Sequence, residues 1–212
     1  MVYSESLILT YLYVLQMQAG RKRVHYIARW DGSEWQQLAD EECQRQCMHS
    51  VDQNQCQEKN CELGGPVTAL TSTGAVLFAA GVFDVAGGRP VRNLARFFGG
   101  AWGPVLGGIE GSIYVLKIFS LTPSSSIFEN SIRDLECLYV AGDLSRVFTQ
   151  DGASHVASNL VRVCPGNDWN WKSGLDVSRA HGVDNLTNIK WEAVEGTNGL
   201  GPVLALHVAD QV

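Results

Sequence analysis

Short apolar segments alternate along this chain with breaks rich in glycine. "VTAL", "VLFAAG", "NLARFF" and "AWGPVL" follow one another between residues 67 and 106, separated by Gly, Thr, Ser, Asp and Asn. Within "NLARFF" the period is two: Leu94 and Arg96 lie on one face and Ala95 and Phe97 on the other, as a pleated strand requires. Four such segments bounded by turn residues predict a four-stranded antiparallel meander. Gly99 and Gly100 supply the positive φ angles that a tight turn before the last strand needs.

The same outline recurs on either side. Ile27-Ala28-Arg29, Leu94-Ala95-Arg96 and Leu160-Val161-Arg162 align, with the arginines 67 and 66 residues apart. Upstream of each triplet lies an apolar strand candidate, "YLYV" at 11 to 14, "VLFAAG" at 76 to 81 and "CLYVAG" at 137 to 142; downstream lies a tryptophan, Trp35, Trp102 or Trp171. Similar opening strands start at Val2, Gly65 and Gly111, and a fourth, "GPVLALHV", starts at Gly201.

A lone meander cannot bury both of its faces, and radial stacking of repeated sheets is the propeller solution. The expected fold is therefore all-β, a β-propeller of about three four-stranded blades plus the first strand of a fourth. Closed propellers use four to eight blades, so the set is expected to be completed by another chain or by a longer one. The expected units are a first blade over 1–38, a cysteine-rich insertion over 39–64, a second blade over 65–110, a third with insertions over 111–199, and the opening strand of a fourth over 200–212. The apolar start has a signal peptide's outline, but Glu5 stands where a positive charge belongs and Gln16 and Gln18 break the run, so it is read as part of the first unit. No stretch reaches the ~18 apolar residues of a membrane helix.

"GVFDVAGGRPVRNLARFFGGAW" resembles the repeat of kelch-like, galactose-oxidase-type propellers, and most of all the extracellular propeller repeats of Rax2-type cortical cell-polarity marker proteins of fungi. That repeat runs as a strand, then G-x-F-x-x-A-G-G, then N-I-A-x-W-x-G-x-x-W. Gly81, Phe83, Ala86, Gly87, Gly88, Asn93, Leu94, Ala95, Gly99 and Trp102 match it. The first unit keeps Ala19, Gly20, Ile27, Ala28, Trp30, Gly32 and Trp35, and the third keeps Gly142, Asn159, Leu160 and Trp171. The resemblance implies a propeller scaffold and says little of activity, because one propeller hosts many functions. A copper site of the galactose-oxidase kind is not expected, since His25, His49, His155, His181 and His207 show no close pairing.

Composition narrows the classes. Hydrophobic residues at 45% and charged residues at 18% describe a globular chain. Sixteen basic against 22 acidic residues give a net charge of -6, and Arg21-Lys22-Arg23 is the one tight basic cluster, so nucleic acid is not expected as a partner.

Four of the six cysteines, Cys43, Cys47, Cys56 and Cys61, crowd into the polar insertion. They read as local disulfides in an oxidising compartment, with a four-thiolate zinc site as the rival; gaps of three, eight and four residues do not match paired C-x2-C knuckles. Cys137 opens the second strand of the third unit and Cys164 closes the third strand, so an antiparallel hairpin sets them side by side for a further disulfide. Asn185 begins the sequon "NLT", an expected glycosylation site in a secreted chain.

No nucleophile elbow, phosphate loop or HExxH occurs, and Asp31, Asp84, Asp143 and Asp151 read as turn residues. Neither catalytic residue, metal nor cofactor is expected. Trp35, Trp102 and Trp171 recur and read as packing, whereas Trp169 and Trp191 break the pattern and are the candidates for ligand contact. The expected function is a non-catalytic extracellular or cell-surface scaffold for protein or glycan contacts, within a larger assembly of partner proteins or copies of itself. A membrane would be reached only through parts of a longer protein. A secreted carbohydrate-active enzyme, galactose-oxidase-like or a glycosidase, and a glycan-binding lectin are the alternatives.

Overall fold

The computed structural model describes residues 10–13, 18–19, 21–48, 61–73, 76–121, 135–164, 191–194, 197, 199 and 201–207. They form an all-β fold of antiparallel sheets with one helix, and none of the sheets closes on itself.

Sheet 1 is a meander of β1 (Thr10–Tyr13), β4 (Ile27–Trp30) and β5 (Trp35–Gln37). A small hairpin of β2 (Gln18–Ala19) and β3 (Lys22–Arg23) interrupts it. Sheet 2 repeats that design with an opening strand in place: β6 (Val67–Thr73), β7 (Val76–Gly81), β10 (Leu94–Phe98) and β11 (Ala101–Pro104) follow in order. Its own hairpin joins β8 (Val85–Ala86) to β9 (Arg89–Pro90). Ala19 pairs with Lys22 as Ala86 pairs with Arg89, so even the small hairpins are copies.

Sheet 3 runs β12 (Ile109–Leu121), β13 (Leu135–Phe148), β15 (Leu160–Val163) and β16 (Trp191–Ala193), and β14 (Ser154–Val156) pairs with the end of β13. The first strand of this sheet starts at Ile109 rather than Gly111 and runs on to Leu121.

The repeated sequence marks have a structural cause. Gly81 closes β7 and Gly142 lies within β13, where an added Cβ would lie 1.9 Å from the Pro66 carbonyl oxygen and 2.0 Å from that of Ser112 respectively. No side chain fits there without moving backbone. Gly81 N donates to the Asn93 carbonyl and Gly142 N to the Asn159 carbonyl, both at 3.0 Å, which ties the two sequence marks together. Asn93 adopts φ 57°, tolerable for asparagine, and its Nδ2 donates to the Ile109 carbonyl at 3.2 Å where the next sheet begins.

The middle sheet is buried on both faces. Along β7, Val76, Phe78 and Ala80 join the core shared with Ile109, Ile113, Leu138 and Val140 of sheet 3. Leu77 and Ala79 point the other way, into a core with Ile27 and Leu38 of the first unit. That is why "VLFAAG" is apolar at every position instead of alternating.

Two expectations are corrected. Residues 39–64 are not wholly loop: Glu41–Met48 form helix α1. Asp40 caps it, its Oδ1 accepting from Cys43 N at 2.9 Å, and Glu41 and Glu42 fill the acidic first turn that suits the helix dipole. Residues 201–207 carry no strand, although they repeat the opening of sheet 2. Where β6 bonds to β7, residues 201–207 lie instead against sheet 3, with Val203 N donating to the Gly142 carbonyl at 2.9 Å.

Candidate functional site

Two disulfides lie among the described residues. Cys43 in α1 is bonded to Cys61 just before sheet 2, and Cys137 in β13 to Cys164 just after β15. The second links neighbouring strands whose register pairs Leu138 with Val163. Cys47 is likewise disulfide-bonded, while Cys56 lies outside the described residues. Thiolates held in disulfides cannot ligate zinc, so the zinc alternative fails for Cys43, Cys47 and Cys61.

The first disulfide seats α1 over the junction of sheets 1 and 2. Asp40, 1% exposed, divides its carboxylate between two backbones: Oδ1 caps α1, and Oδ2 accepts from Trp102 N at 3.1 Å. The Arg89 guanidinium stands 3.9 Å from Oδ2. Trp102 Nε1 donates to the Leu38 carbonyl at 2.6 Å, and Glu41 N to the Gly100 carbonyl at 2.9 Å. Trp102 is the packing residue its recurrence predicts, whereas Asp40 is marked in the sequence only as a short polar residue just before an acidic helix start.

Glu62, next to Cys61, is the second buried carboxylate. It accepts from His25 N at 2.7 Å and from Gln37 Nε2 at 3.4 Å, and His25 Nδ1 stands 3.3 Å away. Burial pushes its carboxyl above the ordinary value of 4.5, and the bonds from His25 oppose that only in part. A proton is therefore held more tightly in the folded chain than in the unfolded one. Glu62 favours the fold fully below pH 4.5, and this contribution is lost as the pH rises through the raised folded value. Glu62→Gln is expected to match the parent in urea unfolding near the low end of that range and to exceed it increasingly toward neutral pH. Equal differences at both ends would show that the carboxyl does not titrate in the fold. Glu62 is buried with both oxygens engaged, and its bonds join segments far apart in the chain.

The other sequence candidates distribute as follows. Asp31 holds its own turn, accepting from Ser33 N and Glu34 N at 2.9 Å, which keeps its carboxyl well below the usual range. Asp151 does the same with Thr149 and Ala153. Among the described residues no three His, Cys, Asp or Glu side chains gather as a metal site would require.

Trp191 occupies the place expected for Trp171. Its register partner is Val163, as Trp102 pairs with Phe97 and Trp35 with Trp30. It packs half-buried against the core between sheets 2 and 3, with Nε1 donating to the Phe148 carbonyl at 3.0 Å. A long stretch between third and fourth strands hid this equivalence, because tryptophan spacing alone cannot see an insertion. Trp169, Trp171 and Asn185 lie outside the described residues.

The two ends of the stack carry further charged and aromatic contacts. One face of sheet 3 carries Tyr139, Arg162 and Glu192, with Arg162 Nε donating to Glu192 Oε2 at 3.0 Å and Phe119 edge-on to Tyr139. At the other end Trp30 and Trp35 tilt against each other with ring centroids 5.3 Å apart. Among the described residues no helix is long and apolar enough to cross a membrane. No family model, curated protein or solved structure matches this chain.

Proposed function

We propose that this chain is part of an extracellular or cell-surface β-propeller scaffold that makes protein or glycan contacts without catalysis. The observation that carries the reading is the repetition of one antiparallel unit across three sheets, in a chain that closes disulfides at Cys43–Cys61 and Cys137–Cys164. Asp40 and Glu62, the buried carboxylates among the described residues, each accept a hydrogen bond from the backbone. Disulfides fit an oxidising compartment. Repeat stacks present their end faces and inserted loops to partners.

The test is secretion of the chain followed by thiol alkylation, light scattering and a glycan array. Expected are cysteines that resist alkylation until reduced, together with either a mass above 23.1 kDa or retention on a glycan. A reduced single chain that binds no glycan would overturn the reading.

A further inference from the structure

Sheet 2 ends at β11, which is bonded to β10 on one side. Their register pairs Phe98 with Ala101, Phe97 with Trp102, Arg96 with Gly103 and Ala95 with Pro104. In an antiparallel pair, successive residues turn their backbone groups alternately toward the partner strand and away from it. The Trp102 N–H and carbonyl are bonded to side chains from other elements, so Ala101 and Gly103 face β10 while Gly100, Trp102 and Pro104 line the outer edge. A row of such groups, left unpaired, is a template for strand addition.

On β11 those groups are taken one after another. The Gly100 carbonyl accepts from Glu41 N at 2.9 Å. Trp102 N donates to Asp40 Oδ2 at 3.1 Å, and the Trp102 carbonyl accepts from Arg89 Nη1 at 3.2 Å. Pro104 has no N–H to offer. Asp40 and Arg89 stand 3.9 Å apart, so between them they present an acceptor and a donor to Trp102, as a residue of a neighbouring strand would. The cysteine-rich insertion brings Asp40 there: its N donates to the Cys61 carbonyl at 2.7 Å, beside the Cys43–Cys61 bond. Gly87 leaves the room, since a Cβ on it would lie 2.8 Å from Asp40 Cβ and 2.9 Å from Trp102 Cβ.

We propose that Asp40 and Arg89 form a guard that closes the outer edge of β11 against strand addition by other copies of this chain, and that α1 and the Cys43–Cys61 bond hold the guard in place. An inward-pointing charge, a proline and a covering segment are three devices that blunt sheet edges, and β11 has all of them. Asp40, at 1% exposure, is the inward charge, and its bonds from Cys43 N and Trp102 N offset the cost of burying it. Copies of the chain are what the guard excludes, because each carries the same strand and an open β11 would pair with its own kind across a twofold axis. Any assembly the chain makes is thereby steered away from this edge.

Sedimentation of the oxidised full chain over a range of concentrations tests this, with the parent's own mass as the baseline, so the outcome does not depend on the scaffold reading. Asp40→Ala/Arg89→Ala frees both backbone groups of Trp102. Arg89→Ala/Pro104→Ala, at two exposed positions that leave the cap of α1 in place, frees the Trp102 carbonyl and supplies the N–H that residue 104 lacks. Each is expected to self-associate about tenfold more tightly than the parent, the effect of one or two backbone hydrogen bonds made available. Arg89→Lys keeps a donor and should sediment as the parent does. Amide hydrogen exchange locates the contact. In dilute Asp40→Ala/Arg89→Ala the Trp102 N–H should exchange about tenfold faster than in the parent and slow again as the concentration rises, while the Ala101 and Gly103 N–H groups stay protected throughout.

Variants that sediment as the parent does, an Arg89→Lys chain that associates as the open variants do, or association during which the Trp102 N–H stays fast would each overturn the proposal. Loss of protection at Ala101 and Gly103 in Asp40→Ala/Arg89→Ala would mean that sheet 2 itself had opened. Arg89→Ala/Pro104→Ala then decides alone: tighter association with those two amides protected supports the guard, and sedimentation like the parent's overturns it.

Discussion

Trp102→Ala is expected to cost about 3–5 kcal/mol of unfolding free energy, the range for emptying a large aromatic from a core. The indole is 1% exposed, sits with its ring 5.0 Å from that of Phe97, and donates from Nε1 to the Leu38 carbonyl at 2.6 Å. Its removal deletes apolar contact between the first two units and also leaves the Leu38 carbonyl without that donor. Trp102→Phe separates the two effects: it keeps most of the ring and loses the N–H, for about 1–3 kcal/mol. Urea unfolding of the oxidised chain, read by strand circular dichroism, measures both. A cost below about 1 kcal/mol for alanine would show that this side chain does not anchor the junction.

Replacing Cys137 and Cys164 together by alanine is expected to cost about 3.5 kcal/mol. The two are 27 residues apart, and a bond closing a loop of that length removes unfolded-chain entropy of that order. Both strands it joins are already paired through Leu138 and Val163, and Cys137 is fully buried. The double variant should therefore keep its sheet and lose stability mainly through a freer unfolded chain. Urea unfolding should place the variant between the oxidised and the reduced parent, because reduction also opens the Cys43–Cys61 bond. A double variant as stable as the oxidised parent would show that the bond adds nothing to strands already fixed by pairing.

Most of the second unit was legible in the sequence because its signals are local. A period of two over Leu94 to Phe97, paired glycines at Gly99-Gly100 and an all-apolar "VLFAAG" specify strands and turns within a few residues. The Cys137–Cys164 bond was legible too, since it follows from the hairpin once the two strands are placed. Non-local features were not. The fourth strand of the third unit starts at Trp191, far from the tryptophan that spacing picked out, because nothing in Trp191-Glu192-Ala193 announces a strand until its partner Val163 is known. Helix α1 was hidden by its low apolar content: Cys43 is its one buried side chain, and tertiary bonds from Asp40 and the disulfide hold it where pattern alone would not. Glu62 carried no signal at all, as its contacts with His25 and Gln37 span 37 and 25 residues.

The double burial of the middle sheet has a consequence for how the molecule comes together. Val76 to Ala80 bury side chains on both faces, so each neighbouring unit supplies packing to that strand that sheet 2 alone lacks. Stability is then a sum over adjoining layers, and a layer gains its share only when the adjoining one has formed. The centre of the chain is consequently expected to be the last region to open, because both adjoining layers must part from it first.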